Sequence, residues 1–187
     1  MAIGEPIVSQ RLVTVLFADL VAFTEYSEGR DPELVRETLT RYFEATRHTI
    51  EHHGGRVEKF IGDAVMAVFG IPTASEQDPE NAIHAALEVR DGLEALNDDL
   101  EQRYGIRLSM RVGINTGLVV VGAVGSDMRM EYTAMGDAIN LAARMEQTAT
   151  PGTIRLAEPT MRLVADFVQA KRLPPVVVKG VDAPVDA

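Results

Sequence analysis

Apolar residues recur along this chain in two rhythms, one of period two and one of helical period, and the switches between them mark its elements. Leu12 to Ala18 reads as a strand running straight into Asp19, after which the chain turns through Leu20 to Thr24. Asp31-Pro32-Glu33 is a helix start, with a capping aspartate, a proline in the first turn and an acid at the positive end. Leu34, Val35, Thr38, Leu39, Tyr42, Phe43 and Thr46 then recur at helical spacing before Gly54-Gly55. Val57 to Phe60 and Val65 to Phe69, with Gly62 and Asp63 between them, form a tight hairpin whose arms are apolar enough for a buried strand pair. Asp78-Pro79-Glu80 repeats the start signal, and Ala82, Ile83, Ala86, Leu87, Leu93, Leu96 and Leu100 carry an amphipathic helix to Tyr104-Gly105. Ile106 to Ile114 alternates as a strand, Asn115-Thr116-Gly117 reads as a turn, and Leu118 to Val124 as a second strand. Glu131 to Ala134 is a short return, Gly136 breaks it, Asp137 can cap, and a helix follows to Gln147. Past Pro151-Gly152 come a strand over Thr153 to Leu156 and a short helix from Glu158 to Val164. Two strand-like pieces follow, Phe167 to Leu173 and Val176 to Lys179.

The order β-α-β-β-α-β is that of a ferredoxin-like split unit. It predicts an α+β fold, an antiparallel sheet with two helices on one face, extended by a C-terminal helix and strands. At 187 residues the chain makes one domain, read as residues 11–187 behind an N-terminal extension, residues 1–10. The last residues, Val-Asp-Ala-Pro-Val-Asp-Ala, close no element, which reads as a domain cut from a longer chain. No apolar run reaches the roughly 18 residues of a membrane span, and the N-terminus lacks the basic start and apolar core of a secretory signal. Without cysteine there are no disulfides and no zinc–thiolate sites, which fits a reducing, cytoplasmic setting. A net charge of −10 argues against nucleic acid as a partner. It leaves a nucleotide pocket open, because local charge decides that.

The candidate chemistry begins with Asp63, a carboxylate at the tip of an apolar hairpin. Alone it would read as an Asp holding its own turn. Asp19, at the end of another strand, changes the reading. If the two strands are neighbours, two carboxylates meet with nothing cationic near them in sequence, and the natural solution is a divalent metal of magnesium type. A phosphatase nucleophile would want a second Asp two residues after Asp19, where Val21 stands. Asn140 and Arg144, four apart, share one helical face among small and apolar neighbours. They read either as a helix-packing pair or as a ligand site. His52 and His53 lie in the last turn of their helix, where partial positive charge is favoured anyway. Lys179 before Gly180 reads as the end of an edge strand.

Together these segments resemble the catalytic domain of the class III nucleotidyl cyclases, the adenylyl and guanylyl cyclases, from about Leu12 to Pro184. The resemblance implies that Asp19 and Asp63 hold two Mg2+ or Mn2+ ions per active site, helped by the backbone carbonyl of Leu20. It implies that Arg144 stabilises charge at the α-phosphate, that Asn140 orients the ribose, and that Lys179 reaches the terminal phosphates. The turn through Phe23 and Thr24 would lie against the triphosphate. Lys59 and Thr133 match the base-selecting pair. Lysine can only donate, which suits N1 of adenine, and a threonine oxygen can accept from the 6-amino group. Guanine would set a donor against Lys59. Many adenylyl cyclases carry Asp where Thr133 stands, and threonine marks a subgroup often described as bicarbonate-responsive. The implied protein is an adenylyl cyclase converting ATP to 3′,5′-cyclic AMP and pyrophosphate, a homodimer in which Asp19 and Asp63 serve one site while Lys59 and Thr133 serve the other. The alternatives are a guanylyl cyclase, or a catalytically silent nucleotide-binding or dimerisation module that regulates attached domains. A diguanylate cyclase would need a Gly-Gly-acidic-acidic-Phe hairpin, which Ile-Gly-Asp-Ala-Val at residues 61–65 does not supply.

Overall fold

A computed structural model describes residues 9–123 and 132–175. Its elements are β1 (Ser9–Val21), α1 (Phe23–Ser27), α2 (Pro32–His52), β2 (Arg56–Ile61), β3 (Ala64–Phe69), α3 (Asp78–Tyr104), β4 (Ser109–Ala123), β5 (Tyr132–Met135), α4 (Asp137–Thr148), β6 (Ile154–Leu156) and α5 (Glu158–Val164). The strands form one sheet in the order β2-β3-β1-β4-β5, with β6 also beside β4. The βαββαβ order is therefore present, as the residue patterning implied. The sheet is not wholly antiparallel, because β6 runs parallel to β4.

Alternation along β1 and β4 divides the core in two. Leu16, Ala18, Leu20, Met110, Val112 and Ile114 face α2 and α3, packing on Tyr42, Ile50, Ala82, Val89 and Leu93. Val13, Val15, Phe17, Val119 and Val121 face the other way, onto Ala138 and Ala142 of α4. So α2 and α3 share one face, as expected, and α4 covers the opposite one. Gly113 sets how closely α4 sits: a Cβ there would lie 2.0 Å from the Glu146 backbone nitrogen and 2.4 Å from the Ala142 carbonyl oxygen.

Several boundaries differ from the sequence reading, each for a local reason. β1 takes in Ser9 and Gln10 and continues through Asp19 to Val21, because β4 pairs with it all the way from Ser9 to Val21. Asn115-Thr116-Gly117 is no turn but the middle of β4. Asn115 Nδ2 donates to the Ala138 carbonyl at 3.0 Å, and Thr116 joins a buried hydroxyl chain, 2.9 Å to Thr14 and 3.0 Å to Thr160. At Gly117 a Cβ would meet that of Ala138 at 2.8 Å. The hairpin arm β2 is an edge strand with no fully buried residue, so only β3 is a core strand. Asp31 caps α2, its Oδ1 accepting from Glu33 N at 2.8 Å. Asp78 instead becomes the first residue of α3, which Gln77 precedes as cap, and its Oδ2 accepts from Ser75 N at 2.6 Å. Asp137 likewise lies inside α4, with Gly136 at the cap. Residues 165–175 form no strand where Phe167 to Leu173 was expected, and Val176 to Lys179 lies outside the described residues.

Candidate active site

The register of three strands brings the two aspartates together. β3 pairs with β1 up to Ala18 with Val65, so the turn at Gly62 and Asp63 arrives beside Asp19. Gly62, at φ 64°, supplies the left-handed residue the two-residue turn requires. Burial first, and then the charge of Asp19, push the Asp63 carboxyl above its ordinary range. A cation beside the pair would relieve that repulsion.

The cation absent from the local sequence comes from across the sheet. Arg111 stands opposite Asp19 in the β1–β4 register, and its Nη2 donates to Asp19 Oδ2 at 3.1 Å. The same nitrogen lies 3.1 Å from Glu146 Oε1, and Nη1 donates to the Gln147 carbonyl at 3.3 Å. Glu146 is buried under α4, and its pKa is raised to about 7, by burial first and then by Asp19, with Arg111 opposing. Arg111 and Glu146 were not singled out in the sequence. For Arg111 the signal was its parity in an alternating strand, since it shares a face with Gly113 and Asn115, which both meet α4.

The donor set fits magnesium or manganese. Two carboxylates stand side by side, and such ions take one or two carboxylates while substrate phosphates complete the shell. Among the described residues no group of three or more acidic or histidine side chains forms a closed cage. His53 Nε2 pairs with Glu88 at 2.7 Å, and its ring stacks on that of His84.

Leu20 has its side chain in the core, 2% exposed, so only its backbone can serve a ligand. After it Ala22 sits at φ 59°, a left-handed conformation that swings the chain into α1. Phe23 is buried with its ring 5.2 Å from that of Tyr26, whereas Thr24 is exposed. Lys59 is exposed on β2, paired with Met66, a residue of the cluster under α4, so Lys59 shares the sheet face of Asp19. Thr133 lies on β5, paired with Gly122, and three strands separate it from Lys59 within one chain. Lys179 lies outside the described residues.

Asn140 and Arg144 are not brought to the aspartates of their own chain. Ala138, Ala142, Met145 and Glu146 form the buried face of α4. Two residues along a helix turn through about 200°, so Asn140 and Arg144 occupy the opposite face. Asn140 is exposed there, and Arg144 Nε is buried without a hydrogen-bond partner. Among the described residues no carboxylate pairs with Arg144.

Known proteins share this fold. A model of the adenylate and guanylate cyclase catalytic domain matches residues 7–185. Adenylate cyclase 1 of Rhizobium meliloti is 41% identical over 134 residues, 72% of this chain and 20% of its own length. The chain thus spans a fifth of that curated relative, and 27% of the adenylate cyclase of Anabaena cylindrica. Among solved structures, the adenylyl cyclase CyaB from P. aeruginosa superposes with a TM-score of 0.91 at 32% identity, covering 96% of this chain and 93% of that one. The guanylyl cyclase Cya2 superposes with a TM-score of 0.86 at 36% identity, covering 95% and 90%. With the family model matching residues 7–185 and the fold in agreement over nearly the whole length, this chain belongs to the adenylate and guanylate cyclase catalytic domain family.

Proposed function

We propose that this domain is an adenylyl cyclase, closing the 3′-oxygen of ATP onto the α-phosphorus and expelling pyrophosphate, at sites shared between two copies of the chain. The observation that carries the reading is the division of labour just described. Asp19 and Asp63 meet on the sheet, while Asn140 and Arg144 turn away from them on the far face of α4, so a second copy must bring its α4 to complete a site. Two such copies related by a two-fold axis make two equivalent sites.

Asp19, Asp63 and the Leu20 carbonyl would hold two Mg2+ or Mn2+ ions, which when bound acidify the ribose 3′-hydroxyl and neutralise the triphosphate. Phe23 and Thr24, at the start of α1, lie where the chain turns beside these ligands. Arg144 of the second copy stabilises charge developing on the α-phosphate, and Asn140 holds the ribose so that its 3′-oxygen is in line. Lys179 meets the terminal phosphates. Lys59 donates to N1 of adenine and Thr133 accepts from its amino group, which favours ATP over GTP.

A guanylyl cyclase is the second reading, favoured by the likeness to Cya2. Incubating the chain with ATP or GTP at matched concentration, with manganese, and identifying the cyclic product decides between them. Faster turnover of GTP would overturn the adenylyl reading, and no product from either would leave a silent module. The same assay at constant pH tests Thr133: bicarbonate should raise turnover where chloride at equal ionic strength does not.

A further inference from the structure

Arg111 and Glu146 each leave a polar atom unspent where β4 meets α4. One nitrogen of Arg111, Nη2, faces two carboxylates, at 3.1 Å from Asp19 Oδ2 and 3.1 Å from Glu146 Oε1. Its hydrogen bond goes to Asp19, while Glu146 Oε1, a buried atom, accepts none among the described residues. Arg111 Nε is buried as well and has no acceptor among them. Each of these atoms has lost water without gaining a partner, which is costly for a charged group.

We propose that Arg111 is a positioning residue with two carboxylates to serve, giving up Asp19 to a divalent cation and transferring to Glu146. Glu146 would thereby set how readily the Asp19–Asp63 pair takes the ion. The proposal rests on the reading of Asp19 and Asp63 as metal ligands.

The chemistry of the contact favours this. A guanidinium and a divalent ion repel each other across one carboxylate, so Arg111 must leave Asp19 when the ion arrives. Left under α4 without a counter-charge, the guanidinium would be expensive. Glu146 supplies that charge from the buried face of α4, and among the described residues Arg111 is its one ion-pair partner. Turned toward it, Nε and Nη2 would form the two-pronged fork in which arginine holds a carboxylate best, using both atoms now unspent. Nη1 already donates to the Gln147 carbonyl at 3.3 Å, which keeps the group beside α4. A glutamine at 146 would fill the same volume and leave Arg111 no carboxylate but Asp19.

The test measures Mn2+ binding to the full chain without nucleotide, by the paramagnetic resonance of the free ion at pH 8. Wild type, Arg111→Met, Glu146→Gln and the double variant form a cycle. Glu146→Gln should weaken Mn2+ binding about tenfold, because Arg111 then has only Asp19 to hold. Arg111→Met should tighten binding, and in that background Glu146→Gln should change it less than about twofold. Equal weakening in both backgrounds would overturn the proposal, since Glu146 would then act through its charge alone. So would weaker binding in Arg111→Met, the mark of a residue that only builds the site. Asp19→Ala keeps the two readings apart: if it binds Mn2+ as wild type does, Asp19 is no ligand and the metal reading itself falls, taking the proposal with it. Should a variant at 111 not fold, titrating wild type with Mg2+ carries the test. The Arg111 Nε–H resonance should shift and exchange more slowly with water as it gains an acceptor, and a resonance that Mg2+ leaves unmoved would rule out the transfer to Glu146.

Discussion

Asp63, a metal ligand on the proposed reading, carries a cost in stability. Its pKa is raised by burial and by Asp19, so the folded chain binds that proton more tightly than the unfolded chain does. The stability it confers is present at low pH and lost as pH rises through the folded value. Asp63→Asn should therefore raise the melting temperature at pH 8 in a chelator while abolishing turnover. A variant that melts no higher than wild type would show that the two carboxylates do not strain each other. Glu146 follows the same sign over a defined window. With a pKa near 7 against 4.5 when unfolded, it lowers stability progressively as pH rises from about 4.5 to about 7, on the order of 1–3 kcal/mol in all. Glu146→Gln should remove that slope, leaving the variant closest to wild type at pH 5 and ahead of it at pH 8. Urea denaturation at the two values, without metal, measures this.

The contact of α4 with β4 is close, and Gly113 permits it. Gly113→Ala would set a methyl group against the backbone at Ala142 and Glu146, which cannot move without lifting the helix. A loss of about 3 kcal/mol or more is expected, with activity falling further than stability because Arg111 loses Glu146 and the far face of α4 shifts. Unchanged melting by calorimetry would contradict this. Elements of this kind also set the limits of reading the chain unaided. The βαββαβ order was legible because alternation, helical spacing and Asp-Pro-Glu starts are local. The pairing of Asp19 with Asp63 was legible once the hairpin was taken as a neighbour of the first strand. The continuity of β4 was not, because Asn115-Thr116-Gly117 has the composition of a turn and is kept extended by Ala138, Thr14 and Thr160, all remote in sequence. Arg111 escaped for the same reason, its partners being Asp19 and the end of α4. The one-turn helix α1 is too short for periodicity to reveal.

At the scale of the assembled molecule, the outward placement of Asn140 and Arg144 gives a prediction independent of any single contact. Asp63→Ala and Arg144→Ala should each be inactive as homodimers. In a mixed dimer one site carries both lesions and the other carries neither. Random pairing makes half the dimers mixed, each with one intact site of two, so about a quarter of wild-type activity should return when the variants are co-expressed. Activity that stays at the sum of the parents, with mixed dimers demonstrated, would place each site within one chain.

If sites are shared as proposed, the two-faced α4 also makes turnover a matter of mass action. A lone copy would then hold the metal half of one site and the helix half of another and complete neither. The rate per unit of enzyme should then fall on dilution, becoming proportional to concentration below the dimer dissociation constant. Anything that holds two copies together would switch on catalysis without touching a catalytic atom, and anything that parts them would switch it off.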